Sequence, residues 1–127
     1  MRVLVVEDET ALANAVARGL RRQGMHVDVA YDGDDGFDMA NESSYDVLVL
    51  DRDLPGMSGD DICRTITSGT DTRVLMLTAS ISDEARATGM RLGASDYVTK
   101  PFEFSDLVTR IHALGNTEQA RHSSTLA

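Results

Sequence analysis

Three short apolar runs constrain this chain more than any other feature: VLVV at 3–6, VLVL at 47–50 and VLML at 74–77. Each is too short for a buried helix. Runs of Val and Leu without polar alternation suit strands covered on both faces, as in a parallel sheet. Between them lie stretches of helical period. Leu12, Val16 and Leu20 form a stripe after the first run, and Arg18, Arg21 and Arg22 gather at its C-terminal end, where the helix dipole favours cations. Further helices are expected at 33–43, 58–68 and 83–92, with a last one from about Ser105 that carries Leu107, Val108, Ile111 and Leu114 on one side. HVDVAY at 26–31 alternates as an edge strand with one wet face should, and SDYVTK at 95–100 reads as a weaker fifth strand.

The resulting pattern is β-α repeated five times. Strict alternation implies a parallel sheet with helices on both faces, because each right-handed crossover returns the chain to the same direction. The 127 residues suffice for one core without disulfide or metal staples. The single cysteine, Cys63, excludes an internal disulfide and reads as a small apolar residue on a helix. From Asn116 onward the apolar period is lost, so 1–115 is the expected domain and 116–127 a helix end running into a linker. No apolar run approaches the roughly 20 residues of a membrane span, and MRVLVVEDE lacks the form of a signal peptide, so a cytoplasmic location is expected. A net charge of −9 argues against nucleic-acid binding by this segment itself.

The strand ends carry the chemistry. In a sheet of this kind ligands bind at the carboxyl edge, where the winding reverses. Strand one runs into Glu7 and Asp8, strand three into Asp51, strand four into Thr78 and strand five into Lys100. With strand order 2-1-3-4-5, the first and third strands are neighbours and three carboxylates converge. Singly, an acid at a strand end is most often a turn or cap residue; jointly these are harder to dismiss. Clustered anions repel, and oxygen-only ligands suit a hard divalent cation, Mg²⁺ or Mn²⁺. With such an ion and the Lys100 ammonium the site would be neutral. A phosphoryl group passing onto Asp51 would then find Thr78, Lys100 and the metal ready to bind its oxygens.

VLVVEDE, VLVLDRDLPGMSGDD, VLMLTAS and GASDYVTKPF together resemble, in order and spacing, the receiver domain of two-component response regulators, over residues 1 to about 115. The resemblance implies a flavodoxin-like (βα)5 fold, an α/β three-layer sandwich. It implies that Asp51 is the phosphoacceptor, Asp8 a direct metal ligand, Glu7 a ligand through water and Asp53 a ligand through its backbone carbonyl. Thr78 and Lys100 would bind the phosphoryl group, and the Lys100–Pro101 bond would be cis. The donor would be a phosphohistidine on a sensor histidine kinase. The chain would catalyse its own modification without being a conventional multiple-turnover enzyme. Asp53 and Ser80 would tune dephosphorylation.

DYVTKPF most resembles the winged-helix, OmpR/PhoB-like class. That implies Tyr97 as the switch aromatic that follows Thr78, and the 83–115 face as the homodimer surface of the active state. DNA would be reached through a C-terminal domain outside this sequence. On that face Asp96 and Arg110 match one cross-dimer ion pair. Ser95, Leu114 and Ala87 depart from the class, so a weaker or differently built dimer is expected. Gly89 in mid-helix suggests an easily shifted output helix.

Other functions fit less well. A haloacid-dehalogenase-type hydrolase would carry its DxD on the first strand and need a cap domain. A flavodoxin-like FMN carrier would not place Glu7-Asp8-Glu9 where phosphate must sit. A phosphorylation-independent scaffold would not need the complete set of acids, Thr and Lys.

Overall fold

The structure, a computed structural model, describes residues 1–79 and 82–126. Ser80 lies outside the described residues. Five strands and five helices alternate along the chain: β1 Arg2–Val6, α1 Thr10–Arg22, β2 His26–Ala30, α2 Gly33–Glu42, β3 Val47–Asp51, α3 Gly59–Gly69, β4 Arg73–Thr78, α4 Asp83–Arg91, β5 Asp96–Thr99 and α5 Phe104–Leu126. The strands form one parallel sheet of order β2-β1-β3-β4-β5. The fold is therefore the flavodoxin-like one expected from the sequence. Strand β5 ends one residue earlier than expected, at Thr99, yet the Lys100 amide still donates to the Thr78 carbonyl at 2.8 Å. α5 stays helical through Leu126, beyond the point where its apolar period is lost.

Alternation along the strands divides the core in two. Val3, Val5, Val47, Val49, Leu75 and Leu77 face α1 and α5, packing on Leu20, Leu107 and Ile111. Leu4, Val6, Leu48, Leu50, Val74 and Met76 face the other way, onto Ala40 of α2 and Ile62, Cys63 and Ile66 of α3. Burial on both sides of β1, β3 and β4 is what makes those strands uniformly apolar.

Helix starts are marked by their caps. The Asp32 side chain accepts from the Asp35 amide at 2.8 Å and opens α2; the Ser58 hydroxyl accepts from the Asp61 amide at 3.2 Å and opens α3. Acids in both first turns, Asp34 with Asp35 and Asp60 with Asp61, favour the positive dipole end. The loop from β3 to α3 lies against the start of α2. The Gly33 amide donates to the Pro55 carbonyl at 3.1 Å, and a Cβ on Gly33 would sit 1.8 Å from the Met57 carbonyl oxygen.

Candidate functional site

The carboxyl edge of the sheet gathers the residues named from the sequence. Glu7 and Asp8 directly follow β1, Asp51 closes β3, Thr78 closes β4 and Lys100 follows β5. β1 and β3 are hydrogen-bonded neighbours, so one carboxylate oxygen from each of Glu7, Asp8 and Asp51 lies within 4.8 Å of the others. Glu7, Asp51 and Thr78 are buried, and Asp8 is exposed. The Lys100 ammonium reaches across, 2.6 Å from Glu7 Oε1 and 3.4 Å from Asp51 Oδ2. Asp51 Oδ1 accepts from the Asp53 amide at 3.0 Å. The Lys100–Pro101 peptide is cis.

Electrostatics separate the two buried acids. Burial, followed by the contact with Asp51, pushes the Glu7 carboxyl up to about 7. Burial acts the same way on Asp51, but the neighbouring Glu7 carboxyl, the hydrogen bond from the Asp53 amide and the Lys100 charge outweigh it and hold Asp51 below the usual carboxylate range. Burial would lower Lys100, yet its bond to Glu7 and the field of Asp51 raise it, so the ammonium stays charged. The arrangement therefore keeps Asp51 as an anion.

Glu7 Oε2 is the informative atom. It is buried and has no hydrogen-bond partner among the described residues. Its carboxyl meets that of Asp51, and two carboxylates can be neighbours only with a proton or a cation between them. An orphaned buried oxygen inside an all-oxygen cluster fits a hard metal ion held by Glu7, Asp8 and Asp51.

The remaining sequence candidates lie on the α4–β5–α5 side. Tyr97 is buried with its ring packed in the α2–α3 half of the core. The Arg86 guanidinium lies 5.5 Å from the ring centroid. Gly89 is buried against the ring: a Cβ there would be 3.2 Å from Tyr97 Cε2, so close packing is a second reason for glycine in α4. Asp96 and Arg110 meet within one chain, with Nη1 donating to Asp96 Oδ1 at 2.8 Å while Nε donates to Asp106 at 3.1 Å. Asp106 thus has an intrachain partner at i+4.

Sequence reasoning missed the surroundings of Arg52. Its side chain is only 15% exposed; Nε lies 2.8 Å from Asp60 Oδ1, Nη2 donates to Asp60 Oδ2 at 3.1 Å, and Nη1 donates to the Tyr97 hydroxyl at 3.3 Å.

Comparison with known proteins decides the family. The model of the response regulator receiver domain matches residues 3–112. The chain belongs to the response regulator receiver family. This receiver is 58% identical over 116 residues to the transcriptional regulatory protein CutR of Streptomyces coelicolor, covering 91% of this chain and 54% of CutR. The chain thus spans about half the length of the curated relatives it matches. Among solved structures, the response regulator DrrB, a Thermotoga maritima OmpR/PhoB homologue, superposes with a TM-score of 0.84 at 35% identity, over 92% of this chain and 53% of that one. A Burkholderia pseudomallei response regulator with a phosphorylated aspartic acid, calcium ion and citrate superposes with a TM-score of 0.81 at 25% identity, over 98% of this chain and 74% of that one. No helix among the described residues is long and apolar enough to cross a membrane.

Proposed function

We propose that this receiver takes a phosphoryl group from a phosphohistidine of a sensor histidine kinase onto Asp51. The observation that carries the reading is the buried Asp51 carboxylate, with Lys100 3.4 Å away and an oxygen each of Glu7 and Asp8 within 4.8 Å. A carboxylate oxygen of Asp51 forms a bond to phosphorus as the bond to the imidazole nitrogen breaks, and the electron pair leaves with the imidazole. Asp51 needs no base, since it carries no proton. Lys100 and the Thr78 hydroxyl bind the phosphoryl oxygens. Glu7, Asp8, Asp51 and the Asp53 carbonyl would hold Mg²⁺ or Mn²⁺, whose chemistry when bound is to neutralise charge on the transferring group. The acyl phosphate replaces one negative charge by about two and adds acceptors, which is the signal. Self-modification of this kind is not conventional multiple-turnover catalysis.

The kinase surface we assign is the groove between α1 and the segment after β5, lined by Leu12, Val16, Gly19, Pro101 and Phe104, directly beside Lys100. Output runs from Thr78 and Tyr97 to the 83–115 face and a homodimer. Arg110 is already engaged by Asp96 and Asp106 in one chain, and Ser95, Leu114 and Ala87 offer no charges, which supports a weak dimer. Kinship with CutR supports transcriptional control in the cytoplasm, with DNA contacted by a further domain rather than by this acidic one.

The test is incubation with a small acyl phosphate and Mg²⁺, read by intact mass. The expected result is a stable gain of one phosphoryl group at Asp51, absent in Asp51→Asn. Labelling of Asp51→Asn at the wild-type rate, or sustained turnover of a phosphomonoester, would overturn the reading. The solution mass of the labelled chain tests the dimer: tight association would contradict its predicted weakness.

A further inference from the structure

Arg52 follows the phosphoacceptor in sequence, and the function above gives it no role. Its backbone is fixed, because its amide donates to the Leu77 carbonyl at 2.9 Å and extends the β3–β4 ladder by one residue. Alternation then sends its side chain to the sheet face opposite that of Asp51, the face carrying Leu48 and Leu50. On that face Leu50 pairs with Met76 and Met76 pairs with Tyr97, so the row of side chains nearest Arg52 ends in Tyr97. A guanidinium one pleat beyond Leu50 can therefore reach the Tyr97 hydroxyl across the tops of two strands, and it does so at 3.3 Å.

The far side of the fork is what makes this contact more than incidental. Asp60, in the first turn of α3, accepts from Arg52 Nη2 with Oδ2 at 3.1 Å, and its Oδ1 stands 2.8 Å from Nε in an ion pair. A planar guanidinium held at one end by a hydrogen bond and a close ion pair to the same carboxylate has its orientation restricted, and in that orientation Nη1 faces the Tyr97 oxygen. The charge is also well shielded, with Arg52 15% and Asp60 35% exposed, which strengthens the pair relative to a surface bridge. The ring is bounded as well by Gly89 and by Arg86, but the Arg52 contact holds the hydroxyl end.

We propose that Arg52, oriented by Asp60, is a positioning residue that holds Tyr97 turned into the fold and ties the residue beside the phosphoacceptor to the output face. The proposal rests on the functional reading above, in which Tyr97 takes part in the switch. It adds a strap made of side chains from the β3 end, the α3 start and β5. Movement of the Asp51 loop pulls on Tyr97 through Arg52, and rotation of Tyr97 releases one arm of Arg52. A hydrogen bond to a charged donor corresponds to roughly a tenfold bias toward the inward ring.

The chain's three tyrosines supply their own controls: Tyr31 is 43% exposed, while Tyr45 and Tyr97 are each 6% exposed. The experiment replaces all three by 3-fluorotyrosine in the full chain and reads broadening of each fluorine resonance by a soluble paramagnetic agent, with Tyr97 assigned through Tyr97→Phe. In the wild type, Tyr97 should be shielded like Tyr45. In Arg52→Met it should broaden toward Tyr31 while Tyr45 stays shielded. Asp60→Asn should do the same to a smaller degree, and Arg52→Lys, which keeps the charge but not the fork, should not restore shielding. Tyr97 tracking Tyr45 in Arg52→Met and in Asp60→Asn would overturn the proposal. Should Arg52→Met disturb Tyr45 as well, Asp60→Asn and Arg52→Lys carry the decision. A second readout is the rate of Asp51 labelling by a small acyl phosphate: Arg52→Met should slow it in the wild-type background and leave it unchanged in Tyr97→Phe. An equal effect in both backgrounds refutes the coupling. The fluorine readout needs no phosphorylation, so failure of Asp51 to accept any label would refute the functional reading without touching the strap.

Discussion

Two glycines at helix ends should respond to the same substitution with opposite signs. Gly33 opens α2 and Gly69 closes α3, and neither has positive φ. At Gly69 a Cβ meets nothing within 4 Å, so Gly69→Ala mainly restricts the unfolded chain and should stabilise by about 0.5 kcal/mol. At Gly33 the added carbon would stand 1.8 Å from the Met57 carbonyl oxygen, whereas ordinary contact begins at 3.4 Å. A backbone carbonyl cannot rotate away as a side chain would. Either the loop after Asp51 moves or the start of α2 does, and the Gly33 amide bond to Pro55 is lost with it. Overpacking costs about 1–3 kcal/mol and a lost hydrogen bond about 1, so Gly33→Ala should lose about 3 kcal/mol. Urea titration reads this as a midpoint lower by roughly 2 M at an unchanged slope. Labelling of Asp51 should slow too, because the displaced segment includes the residues that follow Asp51. A Gly33→Ala midpoint equal to that of the wild type would refute the steric reasoning.

Three further outcomes follow from burial. The Cys63 thiol is fully buried and pushed up to about 11, by burial first and then by the field of Asp60, so a thiol reagent at neutral pH should label only the unfolded chain; rapid native labelling would contradict this. Burial, then the hydrogen bond to Asp28, pushes the Tyr45 hydroxyl from 10.0 up to about 12. The folded chain thus holds a proton that the unfolded chain releases, and the stability advantage over Tyr45→Phe should be complete below pH 10 and shrink between 10 and 12; a constant difference would refute it. Gly89→Ala gains up to about 1 kcal/mol of helix propensity but presses on Tyr97, so it should shift the Tyr97 fluorine resonance with little change in stability; an unmoved resonance would contradict the packing.

What could be read from the sequence was whatever depends on position along a strand. Uniform runs marked β1, β3 and β4 because both faces are covered, and the acids stood out because each run ended on one. Burial at β2 was less legible: alternation suggested one wet face, yet Asp28 is half-buried and accepts from the Tyr45 hydroxyl at 2.7 Å. What could not be read was pairing between distant side chains. Arg52 and Tyr97 are separated by 45 positions, and nothing local in either marks the other. The Asp96–Arg110 pair was expected across two chains; within one chain Arg110 reaches Asp96 as well as Asp106, whose place one helical turn away favours that second contact. For Gly89 the second reason for glycine, its packing against the Tyr97 ring, was hidden because that ring is eight residues away on another element.

The division of the core by the sheet has a consequence for how damage would spread. Leu4 and Val5 are joined by a peptide bond, yet they serve separate oil drops with a wall of backbone between them. Leu4 and Leu48 lie side by side in one of those drops although they are 44 positions apart along the chain. Truncating Leu4 together with Leu48 should show strong non-additivity, because the two cavities merge, while truncating Leu4 together with Val5 should nearly sum. In this protein the nearest relation in sequence can be an energetic stranger.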